Sequence, residues 1–142
     1  MLSQLSYGPA VEIVGSRRRM GDLDAFFAWY RERYMASDVD AISGVYEAPL
    51  LAVRDGVAIH LADREAVRAH LAELMAAYVA SGAARAEVAS LQVTPLGTPG
   101  ALATANWHVS DPADRLVKDF HTTYQLLRDG DDGWRILSYT NH

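Results

Sequence analysis

Cysteine is absent from the 142-residue sequence, and so is any apolar run long enough to cross a membrane. Without cysteine the chain has no disulfide bond, no thiol nucleophile and no cysteine-ligated zinc site. A membrane-spanning helix needs about 20 consecutive apolar residues. A signal peptide begins with a charged segment followed by an apolar stretch, and the N-terminus shows no such pattern. We therefore expect a cytoplasmic protein without a membrane partner.

Basic residues are scarce, since 13 Lys and Arg stand against 18 Asp and Glu and give a net charge of −5. Nucleic-acid-binding domains usually carry a basic face, whereas this sequence shows no Lys/Arg stripe beyond one triplet, Arg17–Arg19. We interpret the triplet as part of a solvated arm and expect no nucleic-acid partner. Phosphate-binding glycine loops, dinucleotide fingerprints and nucleophile elbows are missing, so we expect no cofactor.

The length is that of one domain with a single core. Gly8-Pro9 and Gly15 interrupt a weak strand pattern in the first 20 residues, which predicts an N-terminal arm over 1–20. The folded domain is then expected to cover residues 21–142.

A stripe of large side chains predicts the first helix. Its apolar residues recur at spacings of three and four, the period of a helix with one buried face, and they are Leu23, Phe26, Phe27, Tyr30 and Tyr34. Asp22 stands where a helix N-cap is expected. A second helix is predicted from Ser37-Asp38 to the residues before Pro49, and a third from its cap Asp63 to Gly82.

The rest of the chain predicts strands. Asp55-Gly56 between two apolar runs indicates a hairpin, and four long strand patterns follow over residues 85–96, 101–110, 116–128 and 134–140. Helices segregated to one side of an antiparallel sheet form an α+β fold. Strands of this length must twist, so we expect a curved mixed or antiparallel sheet that wraps the three helices into a cone.

Alternation along the last three strands separates an inner from an outer face. A four-residue turn over 112–115 pairs Asp111 with Leu116 and sets Trp107 across from Phe120. This register brings the apolar residues of both strands onto the same face, as burial requires. The predicted inner set is Ala101, Ala103, Ala105, Trp107, Val109, Phe120, Thr122, Tyr124, Leu126, Trp134, Ile136, Ser138 and Thr140. The successive alanines leave volume beneath the first helix. That volume is either filled by the third helix or forms a pocket rimmed by hydroxyl groups.

Candidate titratable groups fall on the opposite face. In the predicted register His108 faces Asp119, with Asn106 and His121 beside them. A carboxylate next to an imidazole can orient it as a base, but period-2 burial places these residues on a polar outer face or a dimer seam. No third ligand accompanies the two histidines, so the sequence predicts no metal site. Trp29 lies off the first helix's stripe and suggests a subunit interface, so we expect a homodimer.

The order of elements, the first-helix stripe, the start of the second helix (Ser37–Asp40) and the closing Gly133–Ile136 resemble the NTF2-like superfamily. The SnoaL-like and ketosteroid-isomerase-like branches look closest, and the likeness covers residues 22–142. It implies the cystatin-like cone, but this fold hosts enzymes, ligand-binding proteins and assembly domains alike.

The resemblance transfers only part of an active site. The isomerases' oxyanion tyrosine corresponds to Tyr30, eight residues before Asp38. Their catalytic base aspartate falls near Val53, and their second oxyanion residue near Thr122. The aspartate that partners a histidine in the related scytalone dehydratases falls near Met35. Since a lone hydrogen-bond donor cannot abstract a proton from carbon, the resemblance leaves open whether the protein is an enzyme.

Three functions remain open. The first is binding of a small apolar molecule, with no catalysis, by Phe26, Phe27, Tyr30, Val53, Trp107, Thr122, Tyr124, Ser138 and Thr140. It assumes a cavity whose polar groups are hydroxyls, without a carboxylate or an imidazole. The second is an isomerase, cyclase or dehydratase acting on a carbonyl-bearing polyketide-like or steroid-like substrate. Its weak catalytic candidates are Tyr30, His108, Asp119 and His121, and a base from either histidine requires a register shifted by one residue. The third is an assembly module without a ligand, in which the convex face of the sheet makes a dimer. Separately, Tyr30 is either a hydrogen-bond donor of the pocket or a core tyrosine whose hydroxyl reaches water.

Overall fold

The computed structural model describes residues 23–131 and 133–142. The predicted arm and the predicted cap Asp22 lie outside the described residues. The elements, in chain order, are α1 (23–35), α2 (Val39–Ser43), β1 (Tyr46–Arg54), β2 (Val57–Leu61), α3 (Arg64–Ala80), β3 (Arg85–Leu96), β4 (Gly100–Ser110), β5 (Leu116–Asp129) and β6 (Gly133–Asn141). The expected α+β fold class is confirmed.

The six strands form one mixed, unclosed sheet in the order β2-β1-β6-β5-β4-β3. All neighbours are antiparallel except β1 and β6, which run parallel. The long central strands bury one face, as the strict alternation along β4 shows. The helices cover that face, so the core lies between them and the concave side of the sheet.

The apolar stripe of α1 faces the core as predicted. Leu23, Phe27 and Tyr30 are buried, while Phe26 and Tyr34 are half-buried and pack against them. The ring of Phe27 lies 4.9 Å from that of Tyr124, the cross-strand partner of Ala103. Small residues on β4 therefore leave room for the aromatic rings of α1.

The predicted second helix is too long. It ends at Ser43, and the chain enters β1 at Tyr46, so Pro49 lies within a strand. Two arginines hold this corner: Arg64 donates to the carbonyls of Ser43 and Tyr46, and Arg135 pairs with Glu47 and donates to the Tyr46 carbonyl at 3.3 Å. Tertiary contacts thus override the helical spacing of Val45 and Tyr46, and Tyr46 points into the core from a strand.

Helix α3 begins and ends at the predicted signals. The Asp63 carboxylate accepts the Ala66 N–H at 2.8 Å, and Gly82, just beyond the last turn, has φ +81°. These caps satisfy backbone groups that the helix itself leaves open. The buried face of α3 consists of Val67, Leu71 and Met75, with Leu74 and Tyr78 partly buried beside it.

The predicted register of β4 and β5 is confirmed, since Trp107 pairs with Phe120 and Ala105 with Thr122. A register shift follows between Val109 and Ser110, so Ser110 rather than Asp111 pairs with Leu116. The shift lies at the turn end of the hairpin, and the inner face of both strands keeps the predicted phase.

The predicted inner face of β6 is wrong in its second half. Trp134 and Ile136 are buried as expected, but the register against β5 shifts after Ile136, where Leu137 is the extra residue. A bulge of one residue exchanges the two faces of the strand beyond it. Tyr139 is therefore buried, and Ser138 and Thr140 lie on the outer face, paired with Gln125 and Thr123.

Candidate ligand-binding cavity

A cavity of about 390 Å³ lies between α1, α3 and the concave face of the sheet. Every tyrosine in the described part of the chain lines it, and these are Tyr30, Tyr34, Tyr46, Tyr78, Tyr124 and Tyr139. Its apolar walls are Leu71, Leu74, Ala86, Trp107 and Phe120. An apolar concave surface with a few convergent polar groups is the usual form of a small-molecule site.

Two of the phenols are hydrogen-bonded to each other. The hydroxyls of Tyr30, on α1, and Tyr46, on β1, lie 2.6 Å apart in the buried interior. Burial raises the pKa of each phenol well above its ordinary value, and repulsion from neighbouring tyrosines adds to the effect. Both therefore stay protonated at neutral pH. One hydrogen forms the bond, which leaves the hydrogen of the accepting hydroxyl for another partner.

A second phenol is oriented by an indole. Trp107 donates its Nε1–H to the Tyr124 hydroxyl at 3.0 Å, and both residues are buried. Because that oxygen is the acceptor, the phenol's own hydrogen is left for Thr122 or for a ligand. Thr122 is buried as well, and its hydroxyl donates to the Asn141 side-chain oxygen at 2.8 Å. Asn141 faces inward because of the bulge in β6.

A third phenol lies between a histidine and an arginine. Nε2 of His70 lies 2.7 Å from the Tyr139 hydroxyl. Burial raises the pKa of Tyr139, and the nearby Arg54 opposes that rise. Burial together with the Arg54 charge lowers the pKa of His70, which favours a neutral imidazole that can accept the phenol hydrogen. The three residues lie together beside the cavity.

The cavity also carries charge, which contradicts the expectation that hydroxyls supply all its polarity. Arg31, Arg54 and Lys118 line it, together with one carboxylate, Asp119. The Asp119 carboxylate accepts the Asn106 side-chain N–H at 2.8 Å and lies 3.5 Å from His108 Nε2. Both of these partners belong to the outer face of β4, so this carboxylate is engaged away from the apolar walls.

The structure brings together four of the nine predicted ligand-binding residues. Tyr30, Trp107, Thr122 and Tyr124 line the cavity. Phe27 is buried in the core beside them, and Phe26 is half-buried at the edge of the core. The other three, Val53, Ser138 and Thr140, do not line it. Val53 alternates with the buried Ala52 along β1 and pairs with Thr140 of β6 on the outer face. Whether the lining residues contact a ligand stays a prediction.

The predicted histidine candidates lie on the outer face. His108 pairs with Asp119 and His121 with Asn106, in the register expected from the sequence. A register shifted by one residue, which would turn either imidazole into the cavity, is therefore not observed. His121 instead stacks on His142, with ring centroids 5.8 Å apart.

Sequence reasoning missed the tyrosines of β1, α3 and β6 and the cations of the cavity. Arg54 is in phase with the buried residues Leu50 and Ala52 of β1, and Lys118 is in phase with Phe120 and Thr122. The alternation therefore contained the signal for both, but charged residues at strand ends are ordinarily assigned to solvent. Tyr139 carried no such signal, because a bulge cannot be seen in a period-2 pattern.

Solved structures share this fold at low sequence identity. An NTF2-like protein with a cystatin-like fold from Novosphingobium aromaticivorans matches with a TM-score of 0.67 and 18% identity, over 99% of this chain and 90% of its own. ActVI-ORFA from Streptomyces coelicolor matches at 0.71 and 13%, over 89% and 95%. A Streptomyces avermitilis protein of the NTF2-like family, whose name proposes a dehydratase, matches at 0.67 and 16%, over 89% and 96%. Such likeness shows the fold alone.

No curated protein matches the chain. Within the described residues, no helix is long and apolar enough to cross a membrane. The expected homodimer and cytoplasmic location stay predictions. A family profile described as "NTF2-like protein (DUF6841)" matches residues 21–142. The chain therefore belongs to this NTF2-like family.

Proposed function

We propose that this domain binds a small, mainly aromatic molecule in the cavity between α1, α3 and the sheet. The observation that carries the proposal is the lining itself: about 390 Å³ walled by apolar side chains and by the six tyrosines. Tyrosine rings give large contact area at low conformational cost, and their hydroxyls fix the orientation of a ligand.

The polar groups of the cavity favour a ligand with hydrogen-bond acceptors. Burial raises the pKa of Tyr34, Tyr78 and Tyr124, that of Tyr78 to about 12, so these phenols keep their hydrogens at neutral pH. A protonated phenol that donates to a ligand must meet a carbonyl, a carboxylate or another oxygen acceptor. We therefore propose an aromatic ring system bearing carbonyl or acidic oxygens.

A cavity-filling substitution tests this function. Ala86 is 6% exposed and lines the cavity from β3, so Ala86→Phe should occupy the space of a ligand and weaken binding of 2-acetylnaphthalene by at least ~10-fold. Ala89→Phe, at an exposed position of the same strand, is the matched control and should bind like the wild type. Binding is measured by calorimetric titration, and native mass spectrometry of the purified protein looks for a retained ligand. Equal binding by both variants would contradict the proposal.

A second candidate is proton-transfer catalysis on a carbonyl compound, of the isomerase, cyclase or dehydratase type. The hydrogen bond between Tyr139 and the neutral His70 supports it, because it supplies a proton acceptor behind a phenol that lines the cavity. Tyr139 would exchange a proton with the substrate, while Tyr30 would stabilise an enolate-like oxygen.

Deuterium exchange distinguishes the two functions. If the cavity is catalytic, the wild type should speed exchange of the α-protons of 2-acetylnaphthalene in D₂O, and Tyr139→Phe should slow it by about 10²-fold or more. The outer-face variant His121→Ala should exchange at the wild-type rate. If exchange is no faster than in buffer while the ligand still binds, the catalytic candidate is wrong and only the binding function is supported.

A further inference from the structure

The arginines in the described part of the chain differ in whether they line the cavity. Those that pair with carboxylates all lie outside it: Arg33 with Asp38, Arg68 with Asp40, Arg85 with Asp114, Arg115 with Asp111 and Arg135 with Glu47. The three cations that line it, Arg31, Arg54 and Lys118, form none of the ion pairs found among residues 23–131 and 133–142. In a protein of net charge −5, the described residues thus leave these cavity cations without a counter-ion.

Arg54 is the most firmly placed of these cations. It ends β1 directly before the two-residue turn Asp55-Gly56, whose φ values of +52° and +75° suit the tight turn of a twisted hairpin. The turn holds the pair Arg54 and Val57 in register. Strand alternation then directs Arg54 to the same side as Leu50 and Ala52, so its half-buried side chain reaches the cavity.

Among the described residues, the near surroundings of Arg54 are phenols and an imidazole, and no carboxylate forms an ion pair with it. Its charge acts on Tyr34, Tyr78 and Tyr139, and it opposes protonation of His70. A partly desolvated guanidinium loses hydration that neutral phenols replace only in part. A bidentate carboxylate supplies two acceptors in the plane of the guanidinium and is the geometry that arginine favours.

The second cation marks the opposite wall. Lys118, from β5, lies over the ring of Tyr78 with its Nζ 5.0 Å from the ring centroid. Its side chain is exposed, so it contributes to the field around the cavity more than to a fixed contact. Arg54 and Lys118 thus approach Tyr78 from β1 and β5. Between them the cavity offers phenol donors and the apolar walls Leu71 and Leu74.

We propose that the cavity selects an aromatic carboxylic acid, with the carboxylate paired to Arg54 and the ring packed against Trp107 and Phe120. This inference rests on the proposed binding function and names the chemical class of its ligand. The acid fills the missing counter-ion position and accepts hydrogen bonds from the protonated phenols, whereas a neutral analogue of the same shape does neither.

Calorimetric titration with matched ligands tests the proposal. The probes are 2-naphthoate, its amide 2-naphthamide and the ketone 2-acetylnaphthalene. We expect 2-naphthoate to bind the wild type at least ~10-fold more tightly than either neutral compound. Arg54→Gln should remove this preference and leave the affinity for the amide within about twofold. Added salt should weaken binding of the acid alone.

Two controls keep the outcomes apart. Arg68→Gln removes an exposed arginine of α3, outside the cavity, and should retain the preference for the acid. The comparison of ligands on the wild type does not depend on any variant folding. If the three compounds bind equally, the proposed acid selectivity is wrong and the binding function stands. If none binds, the binding function fails for fused-ring aromatics, and this inference fails with it.

Discussion

His70 and Tyr139 are 69 residues apart in sequence, yet Nε2 of the histidine lies 2.7 Å from the tyrosine hydroxyl. One residue comes from α3 and the other from the last strand, so the bond joins the helical layer to the sheet. The lowered pKa of His70 favours the neutral imidazole, and only that form can accept the phenol hydrogen. Protonation of His70 and integrity of this contact are therefore linked.

Acid should destabilise the protein through His70. Burial lowers the pKa of His70 below its ordinary value of about 6.5. Between the ordinary pKa and the lowered pKa of the native state, the unfolded chain binds more protons than the native one. The free energy of unfolding therefore falls as pH falls below ~6.5 and levels off once the native imidazole is protonated. Urea unfolding measured from pH 8 to pH 5 should show a smaller loss of unfolding free energy in His70→Gln than in the wild type. His60→Gln, at an exposed position, should behave like the wild type, and equal losses in all three proteins would contradict the assignment.

The phenol pair of Tyr30 and Tyr46 should show strong coupling. Either single change to Phe leaves one buried hydroxyl without its 2.6 Å partner and should cost about 1–3 kcal/mol of unfolding free energy. The double variant removes both hydroxyls, so it should lose less than the sum of the single variants. Chemical denaturation of the four proteins measures the cycle. Strictly additive losses would mean that the two hydroxyls are not bonded in solution.

The cap of α3 should be worth a measurable amount of stability. Asp63 accepts the Ala66 N–H at 2.8 Å, so Asp63→Ala should lower the free energy of unfolding by about 1 kcal/mol. Asp63→Ser keeps an acceptor at the same position and should recover most of the loss. Thermal unfolding of the three proteins checks this, and an undiminished stability in the alanine variant would show that the cap is dispensable.

The outer-face histidines should not affect binding in the cavity. His108 and His121 pair across β4 and β5 with Asp119 and Asn106, facing away from the helices. Their alanine variants should therefore bind 2-naphthoate within about twofold of the wild type. A tenfold loss in either variant, measured by the same titration, would place an imidazole at the ligand and reopen the shifted register.

Regular patterns account for the parts of the fold that the sequence predicted well. Apolar spacing located α1 and α3, and matching the inner residues of β4 and β5 gave the pairing of Trp107 with Phe120. These predictions work because burial imposes the same period on every residue of an element. The hairpin at Asp55-Gly56 followed from backbone chemistry that few other residue pairs satisfy.

Long-range contacts account for the parts that could not be predicted. Tyr46 has helical spacing from Ile42, but Arg64 and Arg135 bond its carbonyl within a strand. Tyr139 lies inward because of one extra residue upstream, which alternation cannot reveal. The cavity charges were missed for a different reason: Arg54 was in phase with buried residues, but its placement depends on tertiary neighbours that stabilise a half-buried cation.

The single extra residue at Leu137 has a consequence for how such cavities diversify. Beyond it, β6 presents Tyr139 and Asn141 to the interior; in a chain without it, the same strand would present Ser138 and Thr140 instead. A ring and an amide would give way to two small alcohols with no change in amino-acid identity at any of the four positions. Gain or loss of one codon in this strand thus exchanges two inward-facing side chains at once, which point substitutions would achieve only one position at a time.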